Sequence, residues 1–465
     1  MLLAEAGDCT GSCARRAAKM SPRREVSLRL RMKVRAVAPY FFSSLYTHKY
    51  LGLSDQIPRD VSPHAITTSE MIINMRKPTL AAALLLSWVG TSYAQSSVTL
   101  YGTVDTALIY ANNQTTGDAG APGHSGVEMD SGGISGTRWG LRGSEDLGGG
   151  LTAVFLLEDG FSGANGKLSN SGDLFGRQAY AGLSSNIYGT ITAGRQYSFM
   201  SQYLSALSAE GFGWAGNLAD HPFDNDDMIR HQSIQNSVRY ESPTYRGLTV
   251  GTMYGFSNEA GAFSNDRAYS IGARYDNGPV SLVASYLQIN RSAGAANVNT
   301  SGTVTDDDSD AVITGGSQQI WGLGGKYSFG PASIGLVWTH SSTNDPTSVY
   351  QGGNLAPLVG SLLRFNNFEI NGRYFVTRAL ALSASCTYTD GRFDSSTESL
   401  SPKWHEAIIQ ADYQFSRRSD LYLESLYQTV GGGGGHAAFN ASMFNVTPSA
   451  NTRQLLFVAG FRHRF

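Results

Sequence analysis

The stretch Glu406-Ala407-Ile408-Ile409-Gln410-Ala411-Asp412-Tyr413-Gln414-Phe415 sets Ala407, Ile409, Ala411, Tyr413 and Phe415 at alternate positions, with Glu406, Gln410, Asp412 and Gln414 between them. Successive side chains of a β-strand point to opposite faces, so this segment has one apolar and one wet face. The same period governs Leu380–Tyr388, where Leu380, Leu382, Ala384, Cys386 and Tyr388 interleave with Ala381, Ser383, Ser385 and Thr387. It returns at Val98–Tyr110, Leu248–Ser257 and Ser333–Thr339. The stretches run about ten to twelve residues, longer than an ordinary strand and about right for a tilted one that crosses a bilayer. Charges within them (Arg138, Arg142, Arg274, Lys326, Glu369, Arg373, Asp412 and Glu424) sit on the face opposite the apolar one. A soluble sandwich would turn that wet face outward, whereas a barrel in lipid must turn it inward.

Sixteen such stretches occur, at about 97–110, 134–145, 150–160, 173–184, 189–198, 232–242, 247–257, 267–276, 279–290, 317–329, 331–342, 366–376, 378–390, 404–416, 418–430 and 452–465. Their connectors alternate short and long. Asp146-Leu147-Gly148-Gly149 and Asp276-Asn277-Gly278-Pro279 carry turn chemistry, while 199–231 and 291–316 are long. The reading is all-β: a sixteen-stranded antiparallel transmembrane barrel, closed so that no strand edge is left unpaired in lipid.

Composition agrees. Charged residues are 15% of the 465, against a usual quarter, with 54 glycines and 44 Tyr plus Phe, which excludes a disordered chain or a coiled coil. Residues 1–94 carry 13 basic and six acidic groups, which leaves 22 and 31 in the remainder. A body with nine excess negative charges argues against nucleic acid as a partner. Cys386 is the lone cysteine after residue 94, so the body holds neither an internal disulfide nor a thiolate metal cluster.

The apolar run Leu80–Val89 is too short to span a bilayer. Arg76 and Lys77 precede it, and Ser92-Tyr93-Ala94 supplies small residues for a cut after Ala94. Residues 71–94 therefore read as a secretory signal peptide, and 95–465 as the barrel. The basic, aperiodic segment 1–70 reads as sequence upstream of the true start, Met71 or Met75.

The chain resembles the trimeric general porins of the Gram-negative outer membrane, of the Burkholderia and Neisseria type. The resemblance is carried by Ser97–Gly102 (SVTLYG), Arg138–Gly150 (RWGLRGSEDLGGG), Gly176–Leu183 (GRQAYAGL), Gly194-Arg195-Gln196, Tyr240-Glu241-Ser242-Pro243, Tyr254-Gly255-Phe256-Ser257 and the terminal Phe465. It implies a water-filled channel for passive diffusion of small hydrophilic solutes and ions, with short periplasmic turns, long extracellular loops and three subunits. It also implies a setting in outer-membrane lipid and lipopolysaccharide, delivery by the barrel-assembly machinery with Phe465 as its signal, and no cofactor. The third loop folds into the barrel. On that pattern Arg138, Arg142, Arg177 and Arg195 form the constriction wall, facing one or more of Glu210, Asp220, Asp224, Asp226 and Asp227 on the loop. Arg195 shares its parity with Ile191 and Ala193, and Ser233 stands where relatives carry a further arginine, with Arg230 three residues away.

An enzyme in a barrel would need a nucleophile or metal constellation aimed at one place. Most of His124, His221, His231, His340, His405, His436 and His463 fall on loops or strand ends, and His221 with His231 flanks the third-loop aspartates. Loop hydrogen bonding accounts for them better than catalysis or metal binding. Gly322-Leu323-Gly324-Gly325-Lys326 is not a phosphate loop, since Tyr327 follows the lysine and Ile320 replaces the first glycine. Asp306-Asp307-Asp308 with Asp310 reads as a solvated loop run able to attract cations.

Overall fold

The computed structural model describes residues 96–465 apart from 118–120, 212, 231, 262, 292–301 and 304–311. The segments 1–70 and 71–94, His231 and the acidic run 306–310 lie outside the described residues.

Sixteen antiparallel strands close the barrel. They are β1 (Ser97–Gln114), β2 (His124–Ser131 and Arg138–Gly148), β3 (Leu151–Gly160), β4 (Gln178–Ser185), β5 (Gly189–Gln196), β6 (Ile234–Glu241), β7 (Leu248–Gly255) and β8 (Arg267–Asn277), then β9 (Val280–Asn290), β10 (Ser317–Phe329), β11 (Ala332–Asn344), β12 (Leu362–Phe375), β13 (Leu380–Asp394), β14 (Lys403–Gln414), β15 (Ser419–Gly431) and β16 (Arg453–Arg464). The interruption in β2 does not change its place, because both pieces pair with one edge of β1. The other edge of β1 takes β16, from Thr103 opposite Arg464 to Ala111 opposite Leu456, and this seam closes the cylinder. Short turns at 149–150, 278–279 and 330–331 mark one rim, and long loops at 161–177, 197–233 and 432–452 the other.

Burial follows the period-two pattern with the polarity of a membrane protein. Gln410, Glu424 and Asp412 are at most 4% exposed, whereas their outward neighbours Ile409 and Leu423 are 64% and 56% exposed. On β10 the outward Trp321 lies near the long-loop rim and Tyr327 and Phe329 near the short-turn rim. Six to eight residues at about 3.3 Å each separate them, which sets two aromatic belts across the apolar band.

The third loop, residues 197–233, enters the barrel and lies along the inner wall of β7–β12. Phe199, Met200, Tyr203, Leu204 and Leu207 pack on Met253, Ala268, Val283, Leu287, Ile320 and Val337. The wall is apolar where these loop side chains sit, and each large side chain buried there contributes about 1.5–3 kcal/mol. Close approach demands missing side chains in the wall. A Cβ at Gly272 would stand 2.6 Å from the Phe199 Cβ, and one at Gly322 would stand 2.2 Å from a Leu204 methyl. Gly322 and Gly324 are therefore part of a seat for the loop.

Candidate functional site

Strand parity carries Arg138 inward, opposite Thr103 on β1 and Gly160 on β3. Glu158, two residues before Gly160, reaches back to it: Arg138 Nε stands 3.5 Å from Glu158 Oε2. Arg177, the residue before β4, donates to Glu158 Oε1 at 2.9 Å. Tyr101 completes the cluster by donating to Glu158 Oε2 at 2.9 Å. Arg142 shares the inward parity but lies one step toward the short-turn rim, exposed, with its guanidinium 5.4 Å from the Tyr101 ring.

Arg195 does not belong to this wall. It stands opposite Ala179, which stands opposite Leu157, so all three share the outward parity. The register shifts just here, between Gly194 and Gln196, and Arg195 donates to the Gly176 carbonyl at 2.5 Å. Its place is taken by a residue from the loop. Arg230 donates to the Gly211 carbonyl at 3.1 Å and lines the same cavity as Arg138. Burial, with Arg177 and Arg138 beside it, pulls the Arg230 guanidinium down to about 9, which leaves it cationic at neutral pH. Ser233, where a wall arginine is missing, instead donates to the Arg177 carbonyl at 2.9 Å.

The loop carboxylates are not turned toward these arginines. Glu210, Asp220, Asp224, Asp226 and Asp227 are all at most 4% exposed and serve as anchors. Asp227 accepts from Ser198 and Ser201 at 2.5 and 3.0 Å, Asp224 from the Met228 and Ile229 amides at 2.8 and 3.1 Å, and Asp220 from the Phe444 amide of the last loop at 3.1 Å. Asp226 reaches the barrel wall, where Thr339 and Asn367 donate to it at 2.5 and 3.2 Å. Burial lifts Glu210, Asp220 and Asp224 well above the ordinary carboxylate range and Asp227 to about 7. Beside them lies His221. Burial pulls it down, but Glu210 and Asp226 outweigh that and hold it well above a free imidazole.

What faces the lumen on the short-turn side is basic. A cavity of about 610 Å³ is lined by Arg138, Arg230, Lys326, Arg373, Arg462 and Arg464, with Asp412 as its one carboxylate. Asp412 pairs with Arg373 at 2.6 Å, and Asp420 holds Arg462 and Arg464 at 3.0 and 2.8 Å. Asp412, Asp420 and Glu158 pair with members of this group, and the lining still holds more basic than acidic side chains. Lys326, Arg373, Arg462 and Arg464 were legible as inward-facing by parity. Their gathering at one rim was not, because that depends on the stagger of strands far apart in sequence.

At the seam, Phe465 exchanges two backbone hydrogen bonds with Gly102, at 3.0 and 3.1 Å. Its ring lies over Gly102, where a Cβ would come 2.4 Å from the ring edge.

The pattern of the Gram-negative porin family matches residues 79–433. An outer membrane porin protein of Bordetella pertussis is 35% identical over 64% of this chain and 77% of its own length. Outer membrane porin protein 32 of Delftia acidovorans is 34% identical over 61% and 77%. Among solved structures, the anion-selective porin from Comamonas acidovorans superposes with a TM-score of 0.60 over 80% of this chain and all of its own, at 24% identity. The trimer form of OmpT from Vibrio cholerae gives 0.53 at 16% identity, a likeness of fold. A closed sixteen-stranded barrel, apolar outside and charged within, with an inserted third loop and relatives that are outer-membrane porins, places this chain in the Gram-negative porin family as an outer-membrane channel for passive diffusion.

Proposed function

We propose that the pore prefers anions, and that Arg138, Arg177 and Arg230 at the throat, with the basic cavity below them, set the preference. The observation that carries this reading is the burial of the third-loop carboxylates against the far wall, which leaves the arginines without an opposing acidic row. A strip of three arginines, two of which share the single carboxylate of Glu158, attracts anions and repels cations in a narrow, low-dielectric passage more strongly than the same charges would in bulk water. Small carboxylates and phosphates are the solutes that fit such a throat.

Reversal potentials across a planar bilayer under a KCl gradient test this. Chloride should be the more permeant ion, with the ratio falling as salt rises and screening shortens the reach of the arginines. Potassium preference at low salt would sink the reading. The channel assembles as a trimer, in keeping with the trimer form among its structural neighbours. Chemical cross-linking in mild detergent should stop at three chains.

A further inference from the structure

We infer that His221 is the positioning residue of the constriction: with a proton on each ring nitrogen, it pins residues 210–211 of the third loop to β12 and so fixes where Arg230 stands in the throat. This rests on the reading of Arg230 as a throat arginine and reaches past it, to what holds that arginine in place.

The imidazole is buried, and carboxylates flank both of its nitrogens. Nδ1 stands 2.6 Å from Asp226 Oδ2 and 3.0 Å from Glu210 Oε1, while Nε2 stands 3.5 Å from Glu369 Oε2. A neutral ring has a single N–H and would turn a lone pair on the carboxylate at its other nitrogen, whereas an imidazolium offers a donor on each side. Among the described residues no Lys or Arg pairs with these three carboxylates, so the His221 charge is the one they share. Asp220 and Asp224 on the loop and Glu406 on β14 act on the same cluster. Burial alone would strip a proton from the ring, and Glu210 and Asp226 outweigh it.

These contacts join the loop to the wall. Glu369 belongs to β12, where Asn371 holds it at 2.6 Å, and it accepts from the Ala209 amide of the loop at 2.8 Å. Asp226 is tied to the wall by Thr339 and Asn367. Glu210 meets His221 twice, at the ring and through the His221 amide, which donates to Glu210 Oε2 at 3.0 Å. The next residue is Gly211, whose carbonyl accepts from Arg230 at 3.1 Å. Arg230 has a backbone φ of 69°, a left-handed conformation that a long side chain adopts only where its surroundings impose it. Arg230 lines the basic cavity on the short-turn side and also a second one, of about 250 Å³, which Arg177, Asn217 and Tyr350 share. A displacement of Glu210 therefore moves the carbonyl that holds a charge facing both cavities.

Two measurements on purified full-length protein test this. In nitrogen NMR spectra of histidine-labelled protein in detergent, the signal lost in His221→Gln should keep both ring protons at about pH 8, where a free imidazole is neutral. In planar bilayers at neutral pH, His221→Gln should raise the variance of the open-channel current about tenfold, as a displaced loop state grows from about 1% to about 10%. The same variant should lower the ratio of chloride to potassium permeability about twofold. His221→Lys keeps the charge and should restore the quiet current. A ring with one proton at that pH, or a glutamine variant with the noise and permeability ratio of wild type, overturns the proposal. Should the glutamine variant fail to fold, the lysine variant identifies the signal and the protonation of the ring decides. Reversal potentials of Arg230→Gln judge the selectivity reading by themselves, so the two can fail separately.

Discussion

The inner surface of this barrel has two unlike halves. The wall from β1 to β4, joined by the short-turn end of β14–β16, is bare where its arginines meet at Glu158 and Asp420, while the remainder of β14–β16 packs on the third-loop residues Trp214, Ala215 and Leu218. The wall from β7 to β12 is covered by the third loop and is apolar or hydrogen-bonded to it, as at Phe199, Leu204 and Asp226. The bare half determines which solutes are drawn in, and the covered half determines how much room they have. Charge on the bare half acts on whatever passes, whereas charge on the covered half is consumed in holding the loop.

Removing the arginines is the most severe way to break this contrast. Arg138→Ser with Arg177→Ser should shift selectivity toward cations and enlarge the throat, most visibly at low salt. It also strands Glu158, which is 5% exposed, and an unpaired buried carboxylate costs about 3–5 kcal/mol. Adding Glu158→Gln should restore most of the melting temperature without restoring anion preference. If the double variant keeps the wild-type reversal potential, the bare wall does not line the throat.

Damage to the covered half should be smaller in energy and opposite in kind. Gly272→Val presses on the Phe199 Cβ, next to the loop backbone, and overpacking of this sort costs about 1–3 kcal/mol. Open-channel noise and conductance should rise while the ratio of chloride to potassium permeability changes little. A change of selectivity without a change of conductance would mean that the halves are not separable.

Deleting Phe465 touches neither half. It removes two backbone hydrogen bonds and a ring from the seam with Gly102, so the yield of folded barrel should fall while the survivors conduct normally. Unchanged yield in membrane fractions would refute an assembly role for this residue.

The mildest change is Arg142→Ser. Its guanidinium is exposed and rests on Tyr101 without an ion pair, so conductance and selectivity should move by less than about twofold, since exposed charges are well screened. A shift as large as that from Arg138 would extend the throat to the short-turn rim.

Most of the architecture was legible because lipid forces period-two alternation to be strict. Each of the sixteen stretches became a strand, and parity alone turned Arg138, Arg373 and Asp412 inward. The same rule warned of Arg195, whose neighbours Ile191 and Ala193 face lipid, and resemblance to the family wall pulled against it. The loop carboxylates had no such rule, because an irregular backbone gives no parity, and Asp226 could face pore or wall with equal right. A usable signal lay on the other partner. Val283, Ile320 and Val337 are apolar at inward positions, with Gly272 and Gly322 among them, and an apolar inward patch in a water-filled barrel implies that something covers it.

The seam between β1 and β16 has a kinetic consequence. Thr103 meets Arg464 across more than three hundred and fifty residues of chain, so the contact that makes the cylinder is also the most distant one in sequence. Closing a loop of that length costs on the order of 5 kcal/mol in chain entropy, and nothing local offsets it beforehand. Until the two ends meet, both outer strands are open templates for pairing with a second chain. High contact order of this kind makes unaided folding slow. A short apolar stripe that finishes in Phe465, set over a glycine that lets the ring lie flat, gives the last strand a latch at the step where the search is longest.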